Sequence, residues 1–455
     1  MIAPLVLAAT LSAVSAHRAV STQIPQAQAA FDRGLSAYYA YDRAGAARAF
    51  ETAQRLDPQL AMAAWGEALA AAGDLNHPLT PDAFAAARAA TLRAVALESS
   101  ASSEERALIG ALALRYTGSW DDRETGEQRY IQGMQTIVAQ NPLDDDAADL
   151  AAEALLEDRE PPARAIALLQ PVLARHPANI MANHLCIHAY ENEPDPAPAM
   201  PCADRLSAMP LLPQHEHLAH MPAHAYTENG KYALAMAASE RAWQLRQAWN
   251  AQTEKPYELE YAAHDAAVGY AAAMMLDDEN AANRWESRFA QETQAPLPLT
   301  TLARFEHWTQ IIAQAQQSDA HRAFALGLAY AHTGNLAASQ QQLETLRRDA
   351  PFTDFAEILN AAVEESRGDT NRAAASLQRA VDLQKLTYVA EYIPLFPAGE
   401  LLGELYIRAG RYREAHQALD ASLQRYPGDP RALAALAIAC SHLSDAECKR
   451  ASVRP

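Results

Sequence analysis

The sequence predicts an all-α chain, and three observations carry that expectation. Alanine and leucine dominate a composition that is 50% hydrophobic yet only 7% aromatic, which excludes a disordered polymer. Runs of Val, Ile and Thr, the residues that suit a pleated strand, are scarce. Short helix-turn-helix patterns recur along the whole chain, each too small to bury its apolar face except against a neighbour. The length of 455 residues is enough for one long array of such units.

Taken in order, the chain opens with MIAPLVLAATLSAVSA, an apolar stretch ending in the small residues Val14, Ser15 and Ala16. It reads as a signal peptide over residues 1–16, lacking the usual basic leader, and it is too short to span a bilayer. An exported protein without a transmembrane anchor is expected, its mature chain running over 17–455.

Helical hairpins follow. Arg43 to Pro58 carries a second-helix half, RAGAARAFETAQRLDP; Ala223 to Ala242 carries AHAYTENGKYALAMAASERA; Leu326 to Pro351 carries LGLAYAHTGNLAASQQQLETLRRDAP. The fullest copy is Ala398 to Pro427, with Leu402, Gly403, Tyr406, Gly410, Tyr412, Ala415 and Pro427 at spacings that resemble the tetratricopeptide repeat. Glycine takes the left-handed turn between helices at little cost, and small residues let the helices approach. About nine or ten units fit between Gln28 and Pro427, closed by a polar capping helix from about Asp429 within a capping segment 429–447. The resemblance implies one right-handed superhelix of antiparallel helix pairs, with the Pro-rich strings after Glu193 and Thr293 as irregular turns inside it.

Net charge is −19, with carboxylates spread along the chain and no basic face, so nucleic acid is excluded as a partner. Four cysteines suit an oxidising compartment. The pairs Cys186–Cys202 and Cys440–Cys448 are close enough in sequence for two local disulfides, with buried free thiols as the alternative.

Histidine is the outstanding feature. Seven of the fifteen fall between His176 and His224, six of them in the runs NHLCIHAYENEP and QHEHLAHMPAHAYTENGKY. Crowded imidazoles need something to share their lone pairs, which points to a metal. His184 and His188, like His220 and His224, stand four residues apart and so share a helix face, although Pro222 interrupts the second pair. In the repeat register, the resemblance places His184, His188, His217, His220, His224 and His264 on the concave groove, inside the His-rich repeats 180–270. Glu191 falls there too, as do His321 and Glu400 as additional groove residues. His77, His176, His215, His307, His332, His416 and His442 are expected to be solvated or satisfied in the core.

Imidazole-rich sites suit copper or zinc, and iron generally adds carboxylate, for which Glu191, Glu153 and Glu400 are candidates. The ligands exceed what one ion takes, so a dinuclear site is within reach. Cys186, between His184 and His188, is expected to be structural. No nucleophile elbow, phosphate-binding glycine loop or zincin motif is present.

Beyond the repeat, the stretches FDRGLSAYYAYDRAGAARAFETAQRLDPQLAMAAWGEALA, AEALLED, NHLCIHAYENEPDPAPAMPCADRL, EHLAHMPAHAYTENGKYALA and EYIPLFPAGELLGELYIRAGRYREA resemble a bacterial family of secreted tetratricopeptide proteins with HxxxHxxE and HLxHMPxHxY segments. The resemblance covers nearly the whole mature chain. It implies polar motif positions at His184, His188, Glu191, His217, His220, His224 and His264, and a periplasmic or secreted protein. One departure stands out: the family often has a second histidine where this chain has Ala267, which leaves the second metal site short of a ligand.

Two functions are consistent with these readings. One is a metalloenzyme whose ion activates water or dioxygen for an unidentified small-molecule or peptide substrate, with Glu191 or Tyr226 moving the proton. The other is a scaffold whose groove holds a peptide or a protein partner, or stores the metal.

Overall fold

The computed structural model describes residues 16–75, 78–191, 193–252, 259–314, 320–348, 353–386 and 395–449; the side chains of 259–261, 320–321 and 449 are not among those described. All regular structure in these residues is helical, with no strand among them. The chain divides into two compact units, Met1–Pro222 with Gln244–Lys255 and Ala223–Trp243 with Pro256–Pro455. Residues 1–15 of the signal segment and His77 lie outside the described residues.

The first unit is a series of hairpins. Pro25–Tyr39 packs on Arg43–Leu56, Ala61–Ala71 on Pro81–Ala96, Ser103–Arg115 on Arg123–Gln140, Asp145–Glu157 on Pro162–Arg175, and Ile180–Tyr190 on Met200–Ala208. Short polar residues start these helices by taking up N–H groups that have no partner in the first turn. Asp42 accepts from Gly45 N at 2.7 Å, Asp144 from Ala147 N at 3.0 Å and Asn179 from Ala182 N at 2.8 Å. The core runs through Phe31, Phe50, Trp65, Leu112, Leu155 and Leu185, all nearly or fully buried.

The second unit pairs Leu259–Met275 with Glu279–Thr293, Ala320–His332 with Leu336–Arg348, Thr353–Ser366 with Thr370–Gln384, and Ala398–Arg408 with Tyr412–Arg425. Its core is built on Tyr270, Trp285, Phe324, Leu343, Leu359 and Phe396. Two glycines explain the repeat spacing. A Cβ on Gly403 would lie 2.3 Å from Leu419 Cγ, so only glycine lets those two helices meet. Gly230 turns at φ +66, and a Cβ there would fall 1.9 Å from the carbonyl oxygen of Pro427.

Two expectations need adjusting. The helix Pro430–Ser441, expected to be a polar cap, has an outer face that is not polar, since Leu433 and Ile438 are each 49% exposed. The helix read through His217 and His224 is divided into Glu216–His220 and Pro222–Glu228, because proline has no N–H to offer and its ring crowds the preceding turn. Both expected disulfides are present, Cys186–Cys202 with Cα atoms 6.3 Å apart and Cys440–Cys448 at 5.4 Å, and no cysteine is free. No described helix is long and apolar enough to cross a membrane.

Candidate metal centre

In the first unit, His184 and His188 occupy successive turns of Ile180–Tyr190, a helix fixed at its start by the Asn179 cap. His217 comes from Glu216–His220. The three meet: His184 Nε2 lies 3.0 Å from His188 Nε2 and 3.2 Å from His217 Nε2. His184 is fully buried and His217 is 2% exposed. Nitrogens held at about 2.0 to 2.1 Å by a tetrahedral ion lie about 3.3 Å apart, so the spacing matches a site that needs only a small expansion to admit one.

The chemistry favours a cation there. Each nitrogen of a neutral imidazole offers one in-plane lone pair or one N–H. His184 Nε2 therefore serves His188 or His217 as a hydrogen-bond partner, not both, whereas a cation at the point of convergence takes a lone pair from all three.

Glu191 supplies the orientation. The helix stops at Tyr190, and Glu191 leaves it with ψ 129 just ahead of Pro194, which turns its carboxylate back over the last turn. Glu191 Oε2 lies 2.9 Å from His188 Nδ1. In the neutral ring Nδ1–H donates to the carboxylate and the Nε2 lone pair is left facing its neighbours, the arrangement in which a carboxylate fixes a metal-binding imidazole.

Sequence reasoning missed Tyr41. Its ring stands edge-on to His184 at 4.3 Å between centroids and is stacked on His217 at 5.3 Å. It sits in the turn of the first hairpin at φ 62, where the hairpins with Gly334 and Gly410 use glycine. Holding a tyrosine in that region costs on the order of 1 to 2 kcal/mol. A tyrosine at a glycine-type turn position was the signal available in the sequence.

Glu153 lies behind this wall. It accepts from Tyr38 Oη at 2.6 Å, Tyr41 Oη at 3.2 Å and Arg43 Nη2 at 3.0 Å. Burial pushes the Tyr41 phenol well above its ordinary range, which keeps it a donor to the carboxylate. Glu153 thus anchors the Tyr41 wall.

In the second unit, His224 and His264 bring their Nε2 atoms to 3.3 Å with the rings stacked at 19°. His224 is 2% exposed. Ala267, one turn beyond His264 on Leu259–Met275, offers no donor. Tyr226 is buried on Pro222–Glu228. His220 is fully buried at the end of its helix in the first unit. Glu400 is fully buried in a two-pronged pair with Arg304, at 2.8 and 2.9 Å. The side chain of His321 lies outside the described residues. Among the histidines expected to be ordinary, His215 is 3% exposed and burial pushes it down to about 4, while His416 Nε2 lies 3.0 Å from the carbonyl oxygen of Cys448.

A family model described as tetratricopeptide repeat matches residues 397–439. No curated protein matches the chain. Among solved structures, the chain is similar to the TPR domain of P58(IPK), with 13% identity, coverage of 94% of this chain and 99% of that one, and a TM-score of 0.25. It is also similar to the APC/C hetero-tetramer Cut9-Hcn1, with 14% identity, coverage of 92% and 76%, and a TM-score of 0.33. Yeast Tom70 is similar at 10% identity, with coverage of 90% and 87% and a TM-score of 0.28. Likenesses this distant carry nothing about ligands or partners.

Proposed function

We propose that this tetratricopeptide-repeat protein is an exported metalloprotein that holds copper or zinc, with iron as the third candidate, on imidazoles presented by its repeats. The observation that carries the proposal is the convergence of His184, His188 and His217 through their Nε2 atoms, with Glu191 holding the His188 tautomer that leaves its lone pair available. Three neutral imidazoles and an open fourth position make the ligand set of a site that activates bound water. In the second unit, His224 and His264, with Nε2 atoms 3.3 Å apart, are the start of a second set.

In this reading a bound ion would supply polarisation of water or dioxygen for an unidentified small-molecule or peptide substrate. Glu191 or Tyr226 would take and return the proton. Glu400 and Glu153 are structural acids. The two disulfides support export, since such bridges persist in oxidising compartments.

X-ray absorption at the metal edge tests the site directly. Protein loaded with one equivalent of zinc or copper is expected to show three imidazole ligands at about 2.0 to 2.1 Å. One imidazole or none sinks the proposal and leaves the groove as a binding surface for a peptide or protein.

A further inference from the structure

At the far end of the chain a second kind of metal chemistry is built into the last hairpin. One ligand atom each from His416, Cys440 and Cys448 lie within 4.8 Å of one another. His416 comes from Tyr412–Arg425, Cys440 from Pro430–Ser441, and Cys448 from the five-residue helix Asp445–Lys449. The cysteines are joined in a disulfide, so in this state their sulfurs are not ligands. We propose that reduction of Cys440–Cys448 converts this corner into a zinc site made of two thiolates and the His416 imidazole.

Three features support the conversion. The first is reach. Thiolates bound to tetrahedral zinc at about 2.3 Å have sulfurs about 3.8 Å apart, and Cα atoms 5.4 Å apart accommodate that separation by side-chain rotation. The second is the imidazole. His416 is 5% exposed, and its Nε2 lies 3.0 Å from the Cys448 carbonyl oxygen; a carbonyl only accepts, so Nε2 carries the hydrogen and Nδ1 the lone pair of the neutral ring. That bond fixes the tautomer and leaves Nδ1 as the nitrogen that would bind the ion.

The third is selectivity. Cys186 and Cys202 are 5% and 3% exposed, whereas Cys440 and Cys448 are only half-buried. Access governs thiol-disulfide exchange, so a reductant reaches the C-terminal bridge first. The reaction balances: a dithiol reductant delivers two electrons and two protons, the S–S bond breaks, two thiols form, and the reductant closes its own disulfide. Zinc then displaces the two thiol protons as two Zn–S bonds form, with His416 as third ligand and water as fourth.

The experiment compares full-length protein before and after mild reduction on an immobilised phosphine, with zinc titrated anaerobically against a chromophoric chelator. Reduced parent is expected to bind one more zinc per chain than oxidised parent, and C440S/C448S to gain none. His416→Ala and His416→Gln should retain the extra zinc with affinity weakened by about tenfold or more, at least the loss seen for groups that only orient a ligand. Cobalt in place of zinc should give a thiolate charge-transfer band only in reduced protein, which reports the ligands without any variant. Equal zinc uptake before and after reduction overturns the proposal. So does an extra zinc that survives in C440S/C448S and disappears in C186S/C202S, which would place it beside His184.

Discussion

Replacing Glu191 separates a group that orients a metal ligand from one that binds the metal. Its Oε2 is 2.9 Å from His188 Nδ1, and the two side chains are 10% and 9% exposed, so the bond is sheltered from water. A bond to a charged acceptor is roughly twice as strong as one between neutral groups. Glu191→Gln keeps a neutral acceptor and loses about half of the bond; Glu191→Ala loses it all. Carboxylates that orient ligating histidines are worth about 10- to 100-fold in metal affinity, or about 1.4 to 2.7 kcal/mol. The expectation is a loss near tenfold for the glutamine and near a hundredfold for the alanine, with one ion still bound at saturation. Competition with a chromophoric chelator measures both quantities. Unchanged affinity in Glu191→Ala refutes the orienting role, and loss of the whole equivalent in Glu191→Gln makes Glu191 a ligand.

Three further outcomes follow from the geometry. C186S/C202S should lower stability by about 2 to 4 kcal/mol, the usual value for a bridge closing a loop of this size, measured by urea unfolding, and should also weaken metal binding because Cys186 stands between His184 and His188. Glu400→Ala should cost about 3 to 5 kcal/mol by stranding Arg304 without its buried partner, yet leave metal affinity unchanged; a loss of metal without a loss of stability would return Glu400 to the ligand set. Asp429 is pushed up to about 7, first by burial and then by Glu400. Between its ordinary value and 7 the folded state alone keeps the proton, so stability falls as pH rises through that window, by at most about 1.4 kcal/mol per unit. Asp429→Asn, which can still cap the helix, should flatten that slope in unfolding titrations between pH of about 5 and 7; parallel curves would refute the assignment.

The helical class was legible because its signals are local. Repeated small residues at Gly403 and the turn at Gly410 follow from sequence spacing alone, and the two disulfides join near neighbours in sequence. The trio was half legible. His184, His188 and Glu191 share one helix end, so their spacing announces their contact, but the approach of His217 across 33 residues depends on how one hairpin stacks on the next. Tyr41 was hidden for the same reason, since it lies 143 positions (184 − 41) from the imidazole it walls. Carboxylates were the least legible. Glu153 and Glu400 looked like hard ligands in a list of residues, and their partners Tyr38, Arg43 and Arg304 emerge only when distant helices pack. The polar cap also failed for a packing reason: Leu433 and Ile438 lie on the face of Pro430–Ser441 that no described helix covers.

The most direct test is the metal content of protein purified without a histidine tag, stripped, offered copper, zinc or iron, and dialysed. The account predicts at least one tightly held ion per chain in the parent, and loss of one equivalent in H184A/H188A with helicity by circular dichroism retained. A parent that retains no ion, or a double variant that retains as much as the parent, would contradict it.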